Sequence, residues 1–153
     1  MKVWLLRHGA ATPYQQHDAE RQLTEQGRLQ VLQAAQWLTA IKFDRVLSSP
    51  YIRARQTADL LCTSIGHTGT IEIVPWLTPD DEVRAVTRKL DGYAVENLLL
   101  VAHQPLLGAL ASWLTDAERE HGGPMDTASV ACLEGDFIGA GMMQLRSLQH
   151  VDL

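Results

Sequence analysis

The chain is poor in cysteine, in aromatic residues and in positive charge, and it has no long apolar run. Each deficit excludes a class of protein. Two cysteines in 153 residues, Cys62 and Cys132, are too few and too far apart for a disulfide framework or a zinc site, and they read as buried reduced thiols. The six histidines include no closely spaced pair of the kind that holds a metal, so neither a metal nor another cofactor is expected. Thirteen lysines and arginines against eighteen aspartates and glutamates leave a net charge of -5, which argues against a nucleic acid or an anionic membrane as partner. Lys2 precedes only four apolar residues before Arg7, too few for a signal peptide, and nothing elsewhere approaches a membrane span. A cytoplasmic location is the expectation. What is present, 46% hydrophobic and 20% charged residues, suits one globular domain over 1–153 with a single well-buried core.

Short apolar segments alternate with helical ones. Val3-Trp4-Leu5-Leu6 reads as a strand covered on both faces, although periodicity alone does not separate it from a helix segment. After the polar stretch Ala10 to Gln22, Thr24 is placed to cap a helix in which Val31, Leu32, Ala35 and Leu38 recur at helical spacing. Val46-Leu47 begins a second strand, and Pro50 is expected to open the helix carrying Ile52, Ala54, Ala58, Leu60 and Leu61. Ile71 to Val74 forms a third strand. Asp80-Asp81-Glu82 then puts carboxylates where a helix N-terminus favours them, with that helix running to about Leu90. Leu98 to Ala102 is the clearest buried strand and ends on His103; Pro105 starts a helix through Leu106, Leu107, Leu110 and Leu114. Glu118 to Pro124 reads as an exposed loop, followed by strands near Ser129 to Glu134 and Met142 to Leu148. The expected fold is α/β in three layers, a mostly parallel sheet with helices on both faces and an antiparallel pair at the end of the chain.

The functional signal is positional. His8 and His103 each follow a buried strand, and Arg53 stands in the first turn of the helix after another. In a parallel sheet those junctions share one edge, the edge at which open α/β sheets bind ligands. Arg7 adds a second guanidinium. Two imidazoles and two guanidinium forks near helix N-termini suit a phosphate dianion, and an imidazole is also able to carry a covalent intermediate. Arg55 lies about 200° around the helix from Arg53 and is expected to point away.

Arg7-His8-Gly9, Leu23-Thr24-Glu25-Gln26-Gly27, Ser49-Pro50-Tyr51-Ile52-Arg53-Ala54 with Gln56-Thr57-Ala58, and Val101-Ala102-His103 together resemble the histidine phosphatase superfamily, the phosphoglycerate mutase-like fold. Arg21 before Leu23-Thr24, the short chain, and Leu77-Thr78-Pro79 further resemble its small SixA-type phosphohistidine phosphatases. The resemblance implies a nucleophile at His8, phosphoryl-binding groups at Arg7, Arg53 and His103, an additional clamp at Arg21, and no metal. It also implies activity that falls at low pH as His8 protonates, with the arginines helping to keep that ring neutral.

One departure bears on the substrate. Many members of the superfamily carry a Glu or Asp after the third strand as general acid. Here the stretch is Leu77-Thr78-Pro79-Asp80-Asp81-Glu82, with no aligned Glu and with Asp80 or Asp81 as the remaining candidates. Expelling an alkoxide without a proton donor is difficult, whereas transfer from a substrate imidazole to His8 exchanges like for like. The expected substrate is therefore a protein phosphohistidine, borne by a phosphorelay or phosphotransferase carrier domain. The short Val74 to Asn97 segment leaves the mouth open to such a partner. The alternatives are a small-molecule phosphomonoesterase, or a phosphohistidine-binding module without turnover. His17, His67, His121 and His150 read as surface groups, Trp4, Trp37 and Trp113 as packing, and Trp76 as a contact near the mouth.

Overall fold

The computed structural model describes residues 1–13, 17–118 and 123–153. Six strands, β1 (Lys2–Arg7), β2 (Arg45–Ser48), β3 (Ile71–Ile73), β4 (Asn97–Ala102), β5 (Val130–Gly135) and β6 (Met143–Gln149), form one sheet in the order β3-β2-β4-β1-β5-β6. The first four in that order run parallel; β5 is antiparallel to β1, and β6 to β5. The expected antiparallel pair is thus present, and it places β1 inside the sheet rather than at its margin.

Side chains on a strand alternate between faces, and both faces here are dry. Val3 and Leu5 of β1 join Leu98, Leu100 and Ala102 of β4 in one core, closed by α3 (Val83–Leu90) and α4 (Leu106–Asp116). Trp4 and Leu6 join Leu99 and Val101 in the opposite core, closed by α1 (Glu25–Leu38) and α2 (Ile52–Ile65). This is why β1 and β4 read as continuous apolar runs rather than as alternating ones. Full burial of each such leucine contributes about 1.5–3 kcal/mol. Among the described residues no helix is long and apolar enough to cross a membrane.

The helix starts show where local reading holds and where it slips. Thr24 caps α1 as expected, its hydroxyl accepting from Gly27 N–H at 2.9 Å. Leu32, however, is 41% exposed; the buried stripe of α1 runs through Val31, Ala34, Ala35 and Leu38. Pro50 does not open α2, which begins at Ile52 with Tyr51 as N-cap in an extended conformation. The reason is the hydroxyl of Ser49, which accepts from Tyr51 N–H at 3.2 Å and turns the chain so that the helix starts two residues later. At α3 the cap is Glu82, accepting from Arg84 and Ala85 N–H. β3 ends at Ile73, one residue short of the expected Val74, whose N–H still donates to Ser48 O at 3.0 Å. Residues 14–16 of the polar stretch and 119–122 of the exposed loop, His121 included, lie outside the described residues.

Candidate active site

The sheet order puts β2, β4 and β1 side by side, so their carboxyl ends form one rim. Arg7 pairs with Ala102 and Ser48 with Val101, and the next residues, His8, His103 and Ser49, emerge together. The His8 and His103 rings stand 5.1 Å apart between centroids, tilted by 58°. From the first turn of α2, Arg53 donates its Nε–H to His8 Nε2 at 3.3 Å. All three side chains are buried.

The loop that carries His8 is clamped from behind by two glycines. A Cβ on Gly9 would run into the carbonyl of Gly27, and one on Gly27 into the carbonyl of Ala10, so the loop and α1 touch backbone to backbone. Hydrogen bonds close the remaining gaps. Gly9 N–H donates to Thr57 Oγ1 at 3.1 Å, and that hydroxyl donates to Arg53 O at 2.8 Å. Gln30 accepts from Ala10 N–H at 2.8 Å and Gln56 from Leu23 N–H at 2.8 Å. The Gln56-Thr57 pair noted in the sequence therefore ties α2 to both ends of the loop after β1.

This frame fixes the chemistry of His8. Its Nδ1–H donates to the carbonyl of Gly9 at 2.7 Å, which leaves the lone pair of the neutral ring on Nε2, the atom facing Arg53. The pKa falls to about 3, chiefly because burial disfavours the charged ring; the Gly9 carbonyl opposes this, and the charges of Arg53, Arg7 and Arg21 reinforce it. The arginines thus act as expected but come second to burial. Loss of the His8 lone pair is moved well below the range of an ordinary histidine. His103 falls to about 2, again mainly through burial, then through His8 and Arg53, with Asp18 pulling the other way.

Arg7 donates Nη1–H to Met125 O at 2.8 Å, while its Nε and the Nδ1 of His103 are buried polar atoms with no partner among the described residues. Leaving a buried polar group unpaired costs about 1–3 kcal/mol.

Arg21 belongs to the same cluster. Its Nε–H donates to Thr12 O at 2.6 Å, its Nη1 to Asp18 Oδ1 at 3.0 Å, and its charge reaches both His8 and Arg7. Arg55 is exposed, as expected. Of the two candidate acids, Asp80 is exposed, and Asp81 accepts from Thr78 N–H at 2.7 Å and from its hydroxyl at 2.6 Å. His17 is exposed, His67 and Trp76 are half-buried, with Trp76 packed on the core, and His150 meets Ser129 Oγ at 2.6 Å.

Three contributors have no role assigned from the sequence, although Ser49 and Tyr51 lie inside one of its motifs. Asp18 bridges the arginines: Oδ1 accepts from Arg21, while Oδ2 and the backbone carbonyl accept from Arg53 Nη2 and Nη1 at 3.1 and 2.7 Å. Its i,i+3 spacing to Arg21 is the signal that could have found it. Tyr51 walls the site, its ring centroid 5.0 Å from that of His103 and 5.1 Å from Arg53 Cζ. Ser49 meets His103 Nε2 at 2.7 Å.

A parallel rim with an unprotonated imidazole among guanidiniums is a site built for phosphoryl groups. The chain belongs to the histidine phosphatase superfamily (branch 1), whose model matches residues 3–78. It is similar over most of its length to the phosphohistidine phosphatase SixA of Escherichia coli K12, with 33% identity over 147 residues that cover 92% of this chain and 89% of that protein. The SixA homologue of Haemophilus influenzae is 30% identical over 126 residues, covering 74% and 77%. Among solved structures, the protein histidine phosphatase SixA complexed with tungstate superimposes with a TM-score of 0.89 at 28% identity, covering 98% of this chain and 97% of that one.

Proposed function

We propose that this chain is a protein phosphohistidine phosphatase that works through a phosphohistidine on its own His8. In the first step the Nε2 lone pair of His8 attacks the phosphorus of the substrate phosphohistidine. The P–N bond to the substrate ring breaks, its electron pair stays on that ring nitrogen, and solvent supplies the proton. Water then attacks phosphorus, the P–N bond to His8 breaks, the pair returns to Nε2, and inorganic phosphate leaves. Arg7, Arg53 and Arg21 hold the phosphoryl oxygens and His103 donates to them, so positioning and charge neutralisation supply the acceleration.

The observation that carries the reading is the set of charges acting on His8, which are those of Arg53, Arg7 and Arg21. With Asp81 committed to Thr78 and Asp80 exposed, the reading gives neither a proton-transfer role, and a substrate whose leaving group is an imidazole needs none. Similarity to SixA proteins over most of the chain supports the same choice. The partner is a histidine-phosphorylated carrier domain of a phosphorelay or a sugar phosphotransferase system. The test is a competition assay of such phosphorylated domains against small phosphate esters, with phosphate release measured for each. Preference for the phosphorylated domain, with an acid-labile, alkali-stable label on the enzyme that is absent from His8→Ala, is expected. Preference for the esters overturns the reading.

A further inference from the structure

We infer that Ser49 is a positioning residue that sets the tautomer of His103, so that His103 presents Nδ1–H to the phosphoryl group. The inference rests on reading the site as a phosphoryl-transfer centre. It is carried by the hydrogen bonds of one hydroxyl. Ser49 is 0% exposed and His103 1% exposed, so neither exchanges partners with bulk water. Ser49 Oγ has two contacts among the described residues: it accepts from Tyr51 N–H at 3.2 Å, and it lies 2.7 Å from His103 Nε2.

A hydroxyl has one proton to give and two lone pairs to receive. Tyr51 N–H is a donor only, so it consumes a lone pair. Among the described residues, His103 Nε2 is then the one partner able to accept the Ser49 proton. Were Nε2 itself protonated, the hydroxyl would accept twice, and its own proton would be buried with nothing to bond. The satisfied arrangement is Ser49 O–H donating to Nε2, which puts the proton of the neutral ring on Nδ1. That atom is buried and has no partner among the described residues, and the ring it belongs to faces His8. A neutral ring is also what burial enforces here.

The same hydroxyl turns the chain into α2, because the Tyr51 N–H that it accepts belongs to the N-cap residue. Ser49 therefore couples the start of the helix that carries Arg53 to the proton position on His103. The consequence is a neutral donor opposite the nucleophile. An imidazolium in its place would add a fixed positive charge beside three guanidiniums and hold product phosphate more tightly.

The test is a long-range proton–nitrogen correlation spectrum of protein labelled with nitrogen-15 histidine, recorded between about pH 5 and 8. His103 Nε2 is expected to show the shift of an unprotonated nitrogen and Nδ1 that of a protonated one, with the Nδ1–H resonance moving on addition of inorganic phosphate. Ser49→Ala should move the ring toward the Nε2–H form and lower kcat roughly tenfold, with KM within about twofold. Ser49→Thr, which keeps the hydroxyl, should restore the tautomer. An Nε2–H ring in the unmodified protein overturns the inference, and so does a Ser49→Ala protein with unchanged tautomer and kcat. If the variants do not fold, the spectrum of the unmodified protein decides alone. That spectrum needs no phosphohistidine, so a failed hydrolysis assay counts against the proposed function and not against the tautomer.

Discussion

Arg53 Nε–H points at His8 Nε2 across 3.3 Å, and among the described residues it is the one nitrogen of that guanidinium that Asp18 does not hold. The fork is thus aimed before any phosphate arrives. Lysine has a single ammonium on a flexible stem and cannot keep Asp18 while facing His8. Arg53→Lys is expected to lower kcat by at least about 100-fold, the order seen when a preorganised donor is lost from a transition-state site. Steady-state hydrolysis of a phosphorylated carrier domain checks this, and a rate within twofold of the parent protein would refute it.

Asp18 holds Arg21 and Arg53 at a fixed spacing, but its side chain is 42% exposed. Water and salt screen such a pair, so its worth is about 1 kcal/mol at most. Asp18→Asn keeps the shape and removes the charge. The expected result is a several-fold fall in kcat that deepens in Asp18→Ala, with thermal stability shifted by only a few degrees. Equal rates in all three proteins would show that the bridge does not position the arginines.

The buried imidazoles make stability depend on pH. When unfolded, both titrate near about 6.5; when folded, His8 does so at about 3 and His103 at about 2. Between those limits the unfolded chain binds protons that the folded one refuses. Stability is therefore full above pH 6.5 and is lost as pH falls through the window, by about 1.4 kcal/mol per unit for each ring. Urea unfolding at pH 7 and pH 5 should differ by roughly 2–4 kcal/mol from this source. His8→Gln should remove about half of the slope, and an unchanged slope would contradict the assignment.

Gly27 is a point of no tolerance. A Cβ there meets the carbonyl of Ala10, which is backbone and has nowhere to go, since Ala10 N–H is held by Gln30 and its carbonyl receives Thr24 N–H. Gly27→Ala is expected to destabilise by about 1–3 kcal/mol, as overpacking does, despite alanine's better helix propensity. Gly66→Ala is the contrast: its surroundings are open, and only the positive φ of 74° is strained, a cost of about 1 kcal/mol. Thermal melts of the two variants compare them directly.

The sequence made His8, Arg7, Arg53 and His103 legible because Arg7, His8 and His103 sit where buried runs end and Arg53 in the first turn of the helix after another, and a parallel sheet turns such junctions into neighbours. Arg21 was recoverable by resemblance alone, since nothing in its spacing points inward. Asp18 and Ser49 were harder. Apart from the i,i+3 spacing of Asp18 to Arg21, these short polar side chains belong to no periodic pattern, and their other partners, Arg53 for one and His103 for the other, lie far along the chain. The start of α2 was misread for the same cause: the Ser49 hydroxyl, invisible to propensity, overrules Pro50 as the opening residue. Leu32 shows the opposite limit, where an apolar residue at a plausible period faces solvent because the sheet lies under the neighbouring stripe.

β1 lies between β4 and β5, with hydrogen-bonded neighbours on both sides, and His8 N–H continues the ladder by donating to Ala102 O at 3.1 Å. Amides in such a position exchange with solvent deuterium only when the whole molecule opens. The His8 amide is therefore expected to exchange with the slowest unit of the molecule. Loss of catalysis on heating and loss of the native state should be one event, with the decay of activity tracking exchange at Leu5 and Leu6.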